Sequence, residues 1–168
     1  MENYDQIRRH NFGRLLRMIA REARDLPEVL ARLLECFKGY LLIDSRARFG
    51  YVAGIVSSDG AERMPQNLER LADFTEEIRR CCADLLVFSA TDIFLGSGLS
   101  GRLEAIGTNE QDYMTFWRAV LESGFVKKIF LIPGWERSRG ATEEFEIAKR
   151  QGMEIYLLEA KKESANLA

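Results

Sequence analysis

The amino-acid sequence predicts an α/β protein built on a parallel sheet, and three observations carry that expectation. From Phe49 onward, short runs rich in Val, Ile, Leu, Tyr and Phe alternate with amphipathic segments of helical period. The strand–helix–strand unit occurs three times, which calls for parallel strands with helices packed on the sheet. Glycines stand where two of the helices should stop, Gly124 and Gly152.

The elements follow in order. Phe12, Leu15, Leu16, Ile19 and Ala23 recur at helical spacing, with arginines at 8, 9, 14, 17, 21 and 24 between and after them. Those arginines read first as a solvated helix face and second as a phosphate or partner surface. Pro27 opens a second helix whose stripe is Val29, Leu30, Leu33, Leu34 and Phe37, and Gly39 fits its end. Residues 40–44 read as a short strand. Residues 51–56 form a strand, 57–65 a loop, and 66–82 a helix with Leu68, Leu71, Phe74 and Ile78 inward. A buried strand over 85–88 precedes an 18-residue loop over 91–108, long enough to suggest a lid or binding loop. A helix to Ser123, a strand over 128–132, a loop over 133–140, a helix over 142–151 and a strand over 153–158 complete the order. This is a Rossmann-like (flavodoxin-like) parallel sheet of four to five strands with helices on both faces, plus an N-terminal helical extension. Residues 1–48 are the extension, 49–160 the α/β domain and 161–168 a polar tail.

Composition narrows the function. The chain has 168 residues, enough for one domain with a real core, and it is 46% hydrophobic and 30% charged. A net charge of −2 gives the molecule as a whole no electrostatic reason to seek nucleic acid or an anionic membrane. No apolar run approaches the ~20 residues needed to span a bilayer, and the N-terminus lacks a signal-peptide pattern. Cys36, Cys81 and Cys82 make a poor disulfide or metal framework and read as free thiols, so the expected location is cytoplasmic. His10 is the only histidine, which excludes a multi-histidine metal site and argues against a Ser-His-Asp triad. No metal and no cofactor are expected.

Sheets of this kind bind ligands at the carboxyl ends of their strands. There the most informative segment runs from Pro133 to Ala148, out of a strand end, through a Gly/Ser turn and into a helix. Free backbone N–H groups and a helix N-terminus make an anion site; Ser138 adds a hydroxyl, and Gly140 permits close backbone approach. Ala141, Phe145 and Ala148 form the apolar stripe of that helix, and Glu144 lies within the same stripe. A carboxylate aimed inward must be satisfied or used. Close to the helix N-terminus it should stay ionised, as a nucleophile would. A rim carboxylate capping backbone or pairing with an arginine is the equal alternative on pattern alone. Tyr51-Val52-Ala53-Gly54-Ile55-Val56-Ser57 is the second signal, a strand whose Gly54 allows a ligand close to the backbone or simply packs.

Tyr51-x-x-Gly54, Asn67, and Pro133-Gly134-Trp135-Glu136-x-Ser138-x-Gly140-Ala141-x-x-Glu144 together resemble the nucleoside 2-deoxyribosyltransferase-like superfamily over residues 49–158. The likeness is strongest to small phage and bacterial members with that second segment, and it extends to 2′-deoxynucleoside 5′-phosphate N-hydrolases. The resemblance implies cleavage of an N-glycosidic bond, by hydrolysis or base transfer, on a nucleoside or nucleoside monophosphate. It places Glu144 as the nucleophile at C1′, Ser138 and Gly140 at a phosphate or hydroxyl, and Tyr51 and Gly54 on the sugar and base pocket. Ser57 and Trp135 join the substrate-binding set. An assisting carboxylate is usual in such chemistry; Asp112 is the candidate on the preceding helix and Asp92 its substitute at a strand end. The acidic loop Ser57-Ser58-Asp59 stands where the family often carries an arginine, which argues against a 5′-phosphate. The resemblance also implies a homodimer or larger homo-oligomer, with the N-terminal helices available as interface. Two other readings stand beside the enzyme. One is a non-catalytic nucleotide or nucleotide-signal binding module of the same fold. The other is nucleic-acid binding by the basic N-terminal helices.

Overall fold

The computed structural model describes residues 2–160, so the polar tail at 161–168 lies outside the described residues. Two helices lead, α1 (Glu2–Glu22) and α2 (Leu26–Ile43). Strand β1 (Arg48–Ala53) is followed by α3 (Met64–Cys81), β2 (Leu85–Ser89), α4 (Ala90–Phe94), α5 (Leu99–Ala105) and α6 (Glu110–Glu122). Then come β3 (Val126–Leu131), α7 (Arg139–Arg150) and β4 (Glu154–Leu157).

The four strands form one all-parallel sheet in the order β2-β1-β3-β4. The side chains of β1 alternate between its faces. A Cβ on Gly54 would lie 3.6 Å from Leu71 of α3, which puts α3 on the face of residues 50, 52 and 54. Phe49 packs on Phe12 and Phe37, and Tyr51 on Trp117, so α1, α2 and α6 cover the opposite face. Phe12 of α1 and Phe37 of α2 belong to the same buried cluster as Phe49 and Phe88 of the sheet. The ring centroids of Phe37 and Phe49 are 4.4 Å apart. The N-terminal helices thus share the core of the sheet.

Local chemistry fixes the helix ends. Asp25 caps α2 by accepting the Glu28 N–H at 2.8 Å. Asn109 and Asp112 form a reciprocal capping box on α6. Ser138 caps α7 by accepting the Ala141 N–H at 3.2 Å.

The structure corrects three expectations. Residues 40–43 are not a strand; they are the last turn of α2, closed by the Asp44 N–H on the Tyr40 carbonyl, and Gly39 sits inside the helix. The run Tyr40-Leu41-Leu42-Ile43 has the composition of a strand, but Leu42 and Ile43 are 89% and 80% exposed. Residues 91–108 are not one loop, because α4 and α5 occupy most of it. Leu99 and Leu103 of α5 are fully buried, and Arg102 donates to the Ala20 and Ala23 carbonyls at the end of α1 at 2.6 and 3.1 Å. The third correction concerns α7, which begins at Arg139, three residues before the expected start.

Candidate active site

A cavity of about 500 Å³ opens at the carboxyl ends of β1 and β3. Chain direction across the sheet reverses between these two strands, since β1 leads outward to β2 on one side while β3 leads to β4 on the other. Such a reversal leaves a crevice that neighbouring crossovers do not fill. Four groups of residues wall it: the segment after β1 with Ser57 and Ser58, α3 with Met64, Leu68 and Leu71, α4 to α6 with Phe94, Tyr113 and Trp117, and the start of α7.

Glu144 sits in this wall at 7% exposure. The Tyr51 hydroxyl donates to Glu144 Oε1 at 3.0 Å, joining β1 to α7 across 93 residues of chain. Oε2 takes no hydrogen bond among the described residues and opens on the cavity. Burial pushes the Glu144 carboxyl up to about 8; the Tyr51 hydrogen bond opposes that and the neighbouring Glu143 charge adds to it. Glu144 is therefore mostly protonated at neutral pH, contrary to the expectation that it stays ionised. The early start of α7 is the physical reason. It places Glu144 in the second helical turn, and the dipole effect fades within the first. Desolvation then wins. Burial, followed by the Glu144 charge and the hydrogen bond to it, holds the Tyr51 hydroxyl well above its ordinary range.

The other sequence candidates divide. Gly54, Ser57, Ser138 and Gly140 line the cavity with Tyr51 and Glu144. Ser138 Oγ is engaged as the α7 cap and lies 3.3 Å from Ser58 Oγ. Gly54 has a packing reason as well: a Cβ there would fall 2.5 Å from Ile132 Cγ1. Trp135 packs on Phe145 with ring centroids 4.7 Å apart and planes tilted by 42°, and it is not among the cavity residues. Asp112 caps α6 in an exposed position and is not among the cavity residues. Asp92 is held by Arg79 Nη2 at 2.7 Å and by the Ser89 N–H at 2.8 Å. Neither aspartate joins Glu144. Asn67 holds the β1 loop by donating to the Val56 carbonyl and to Asp59.

Several cavity residues escape a reading of the sequence. Tyr113 and Trp117 lie one turn apart on α6, a spacing indistinguishable from core packing. Glu143 is half-buried and paired with Arg118 Nε at 2.8 Å. Glu104 and Glu110 reach the cavity from α5 and α6, and Glu104 is close enough to help raise Tyr113. Among the described residues no His, Cys, Asp and Glu cluster is arranged to hold a metal ion. No described helix is long and apolar enough to cross a membrane.

Residues 97–157 match the model of a family described as Domain of unknown function (DUF4406). The match takes in α5 to β4 with Glu144, and leaves β1 with Tyr51 and both N-terminal helices outside it. No curated protein and no solved structure matches the chain.

Proposed function

We propose that the protein cleaves the N-glycosidic bond of a nucleoside or nucleoside monophosphate, with Glu144 as the nucleophile at C1′. One observation carries the reading: a carboxyl that is nine-tenths buried, oriented by Tyr51, presents its free oxygen to a cavity of nucleoside size. Burial without a full set of partners is destabilising, so such a group is more readily explained by use than by packing. The Pro133–Glu144 segment and the Tyr51-x-x-Gly54 strand, which resemble the nucleoside 2-deoxyribosyltransferase-like superfamily, support the same chemistry. Ionised Glu144 attacks C1′ as the base departs, and water then hydrolyses the glycosyl ester; a second base in place of water gives transfer. Ser57, Ser58 and Ser138 line the cavity and offer hydroxyls that a sugar could use as partners. The reading includes a cytoplasmic protein with its three cysteines unpaired. It also includes a homo-oligomer joined through α1 and α2, whose Ile7, Met18, Leu42 and Ile43 are exposed.

The test is release of free base from a panel of ribo- and deoxynucleosides and their monophosphates, followed by chromatography. Release that is lost in Glu144→Gln is the expected result. A second reading, a binding module of the same fold, draws on the protonated state of Glu144 and on the engagement of Asp112 and Asp92 elsewhere. Tight binding of an intact nucleoside, with no base released by the wild type, would establish it instead.

A further inference from the structure

We infer that the preferred substrate carries its positive charge on the base: a nucleoside with an N-alkylated purine or a pyridinium ring. This rests on the N-glycosidase reading and sharpens it. Three features of the cavity converge. The first is charge. Among the described residues lining it are four glutamates, 104, 110, 143 and 144, and one arginine, Arg118, which Glu143 already neutralises. Glu104 and Glu110 have no ion-pair partner among the described residues. A dianionic phosphate meets no free cation among the described lining residues.

The second feature is aromatic. Phe94 is 5.5 Å from Tyr113 and 6.2 Å from Trp117, both in edge-to-face contact, and all three line the cavity from α4 and α6. Aromatic faces with nearby carboxylates attract a delocalised cation.

The third feature concerns the leaving base. A neutral base must gain a proton as it leaves; Asp112 caps α6 and Asp92 is bound to Arg79, so among the lining residues that task would fall to Glu104 or Glu110, both exposed at the rim. A cationic base needs no proton. Glu144 Oε2 forms the bond to C1′, the C1′–N bond breaks, and its electron pair neutralises the ring, which departs as a neutral molecule. Water then attacks C1′, releasing the sugar, the Glu144 carboxylate and a proton. A cationic substrate beside the buried carboxyl also favours its ionised form.

The test compares 7-methylguanosine with guanosine, and nicotinamide riboside with its neutral dihydro form. Each is titrated calorimetrically into the Glu144→Gln protein, so that intrinsic bond reactivity does not enter. Wild-type protein is assayed in parallel for base release. Each cation is expected to bind at least ten-fold tighter than its neutral partner. That ratio should fall at least five-fold when Glu104→Gln and Glu110→Gln are added, whereas a merely structural role would weaken both ligands alike. Equal or weaker cation binding, tighter binding of guanosine 5′-monophosphate, or no binding of either class overturns the inference. Neutral nucleosides cleaved as well as cationic ones overturn it and leave the N-glycosidase reading intact. Selective cation binding with no base released overturns the N-glycosidase reading and leaves the charge preference standing.

Discussion

Replacing Glu144 with glutamine should stabilise the protein at neutral and alkaline pH and leave it nearly unchanged in mild acid. In the folded chain the carboxyl titrates at about 8, against an ordinary value of 4.5. A group raised in this way keeps its full contribution below pH 4.5. Above that, the unfolded chain ionises freely while the folded one does not, and stability falls until the pH passes about 8. At about 1.36 kcal/mol per pH unit, the whole interval amounts to about 5 kcal/mol, and the part accrued by pH 7 to about 3 kcal/mol. Glutamine keeps the shape, still accepts from Tyr51 and never ionises. For 168 residues, about 3 kcal/mol corresponds to a rise in Tm of about 9 °C at pH 7. Thermal melts of both proteins from pH 4.5 to 8.5 measure it. A difference in Tm that does not grow with pH, or a glutamine variant less stable at pH 8, would refute the burial argument.

Other outcomes follow from single contacts. Tyr51→Phe removes the one hydrogen bond that favours ionised Glu144, so the pH at which kcat/KM rises should move upward, read from a pH–rate profile. Arg102→Ala frees two carbonyls at the end of α1; it should lower stability by about 1–3 kcal/mol and speed amide exchange across α5 more than across the sheet. Phe37→Ala should destabilise by about 3–5 kcal/mol in a single cooperative transition, because that ring packs on Phe12, Phe49 and Phe88 together; separate melting of the N-terminal helices would contradict a shared core. Leu42→Arg with Ile43→Arg should reduce the mass measured by light scattering if α2 forms the subunit contact, and an unchanged oligomer would remove α2 from it.

The sheet was legible because its strands are apolar runs broken by helices of clear period, and Glu144 was legible because one acid interrupts an otherwise apolar stripe. The failures have physical causes. Tyr40-Leu41-Leu42-Ile43 has strand composition, but the preceding helix needs no stop at Gly39, where a Cβ would meet nothing within 4 Å. Residues 95–98 contain two glycines of positive φ, Gly96 and Gly98, and these turns hide the short helix that follows them. The aromatic wall was missed because Tyr113 and Trp117 obey the same periodicity as core residues; only the fold shows that a hollow faces them. Ionisation was misjudged through a helix boundary: a start three residues earlier removes Glu144 from the reach of the dipole.

The site is also less local than its motif. Glu144 and the aromatic wall lie within the segment that matches a family model, yet the tyrosine that orients Glu144 comes from β1, outside it. The position of β1 depends in turn on α1 and α2, whose Phe12 and Phe37 pack against Phe49, two residues before Tyr51. The same α1 holds the far side of the cavity through Arg102, fixing the helix that carries Glu104. One pair of N-terminal helices thus braces both the strand that carries Tyr51 and the helix that carries Glu104. A buried carboxyl with a single hydrogen bond requires such bracing, because any loosening that admitted water would return Glu144 toward its ordinary ionisation and remove the desolvation that defines the site.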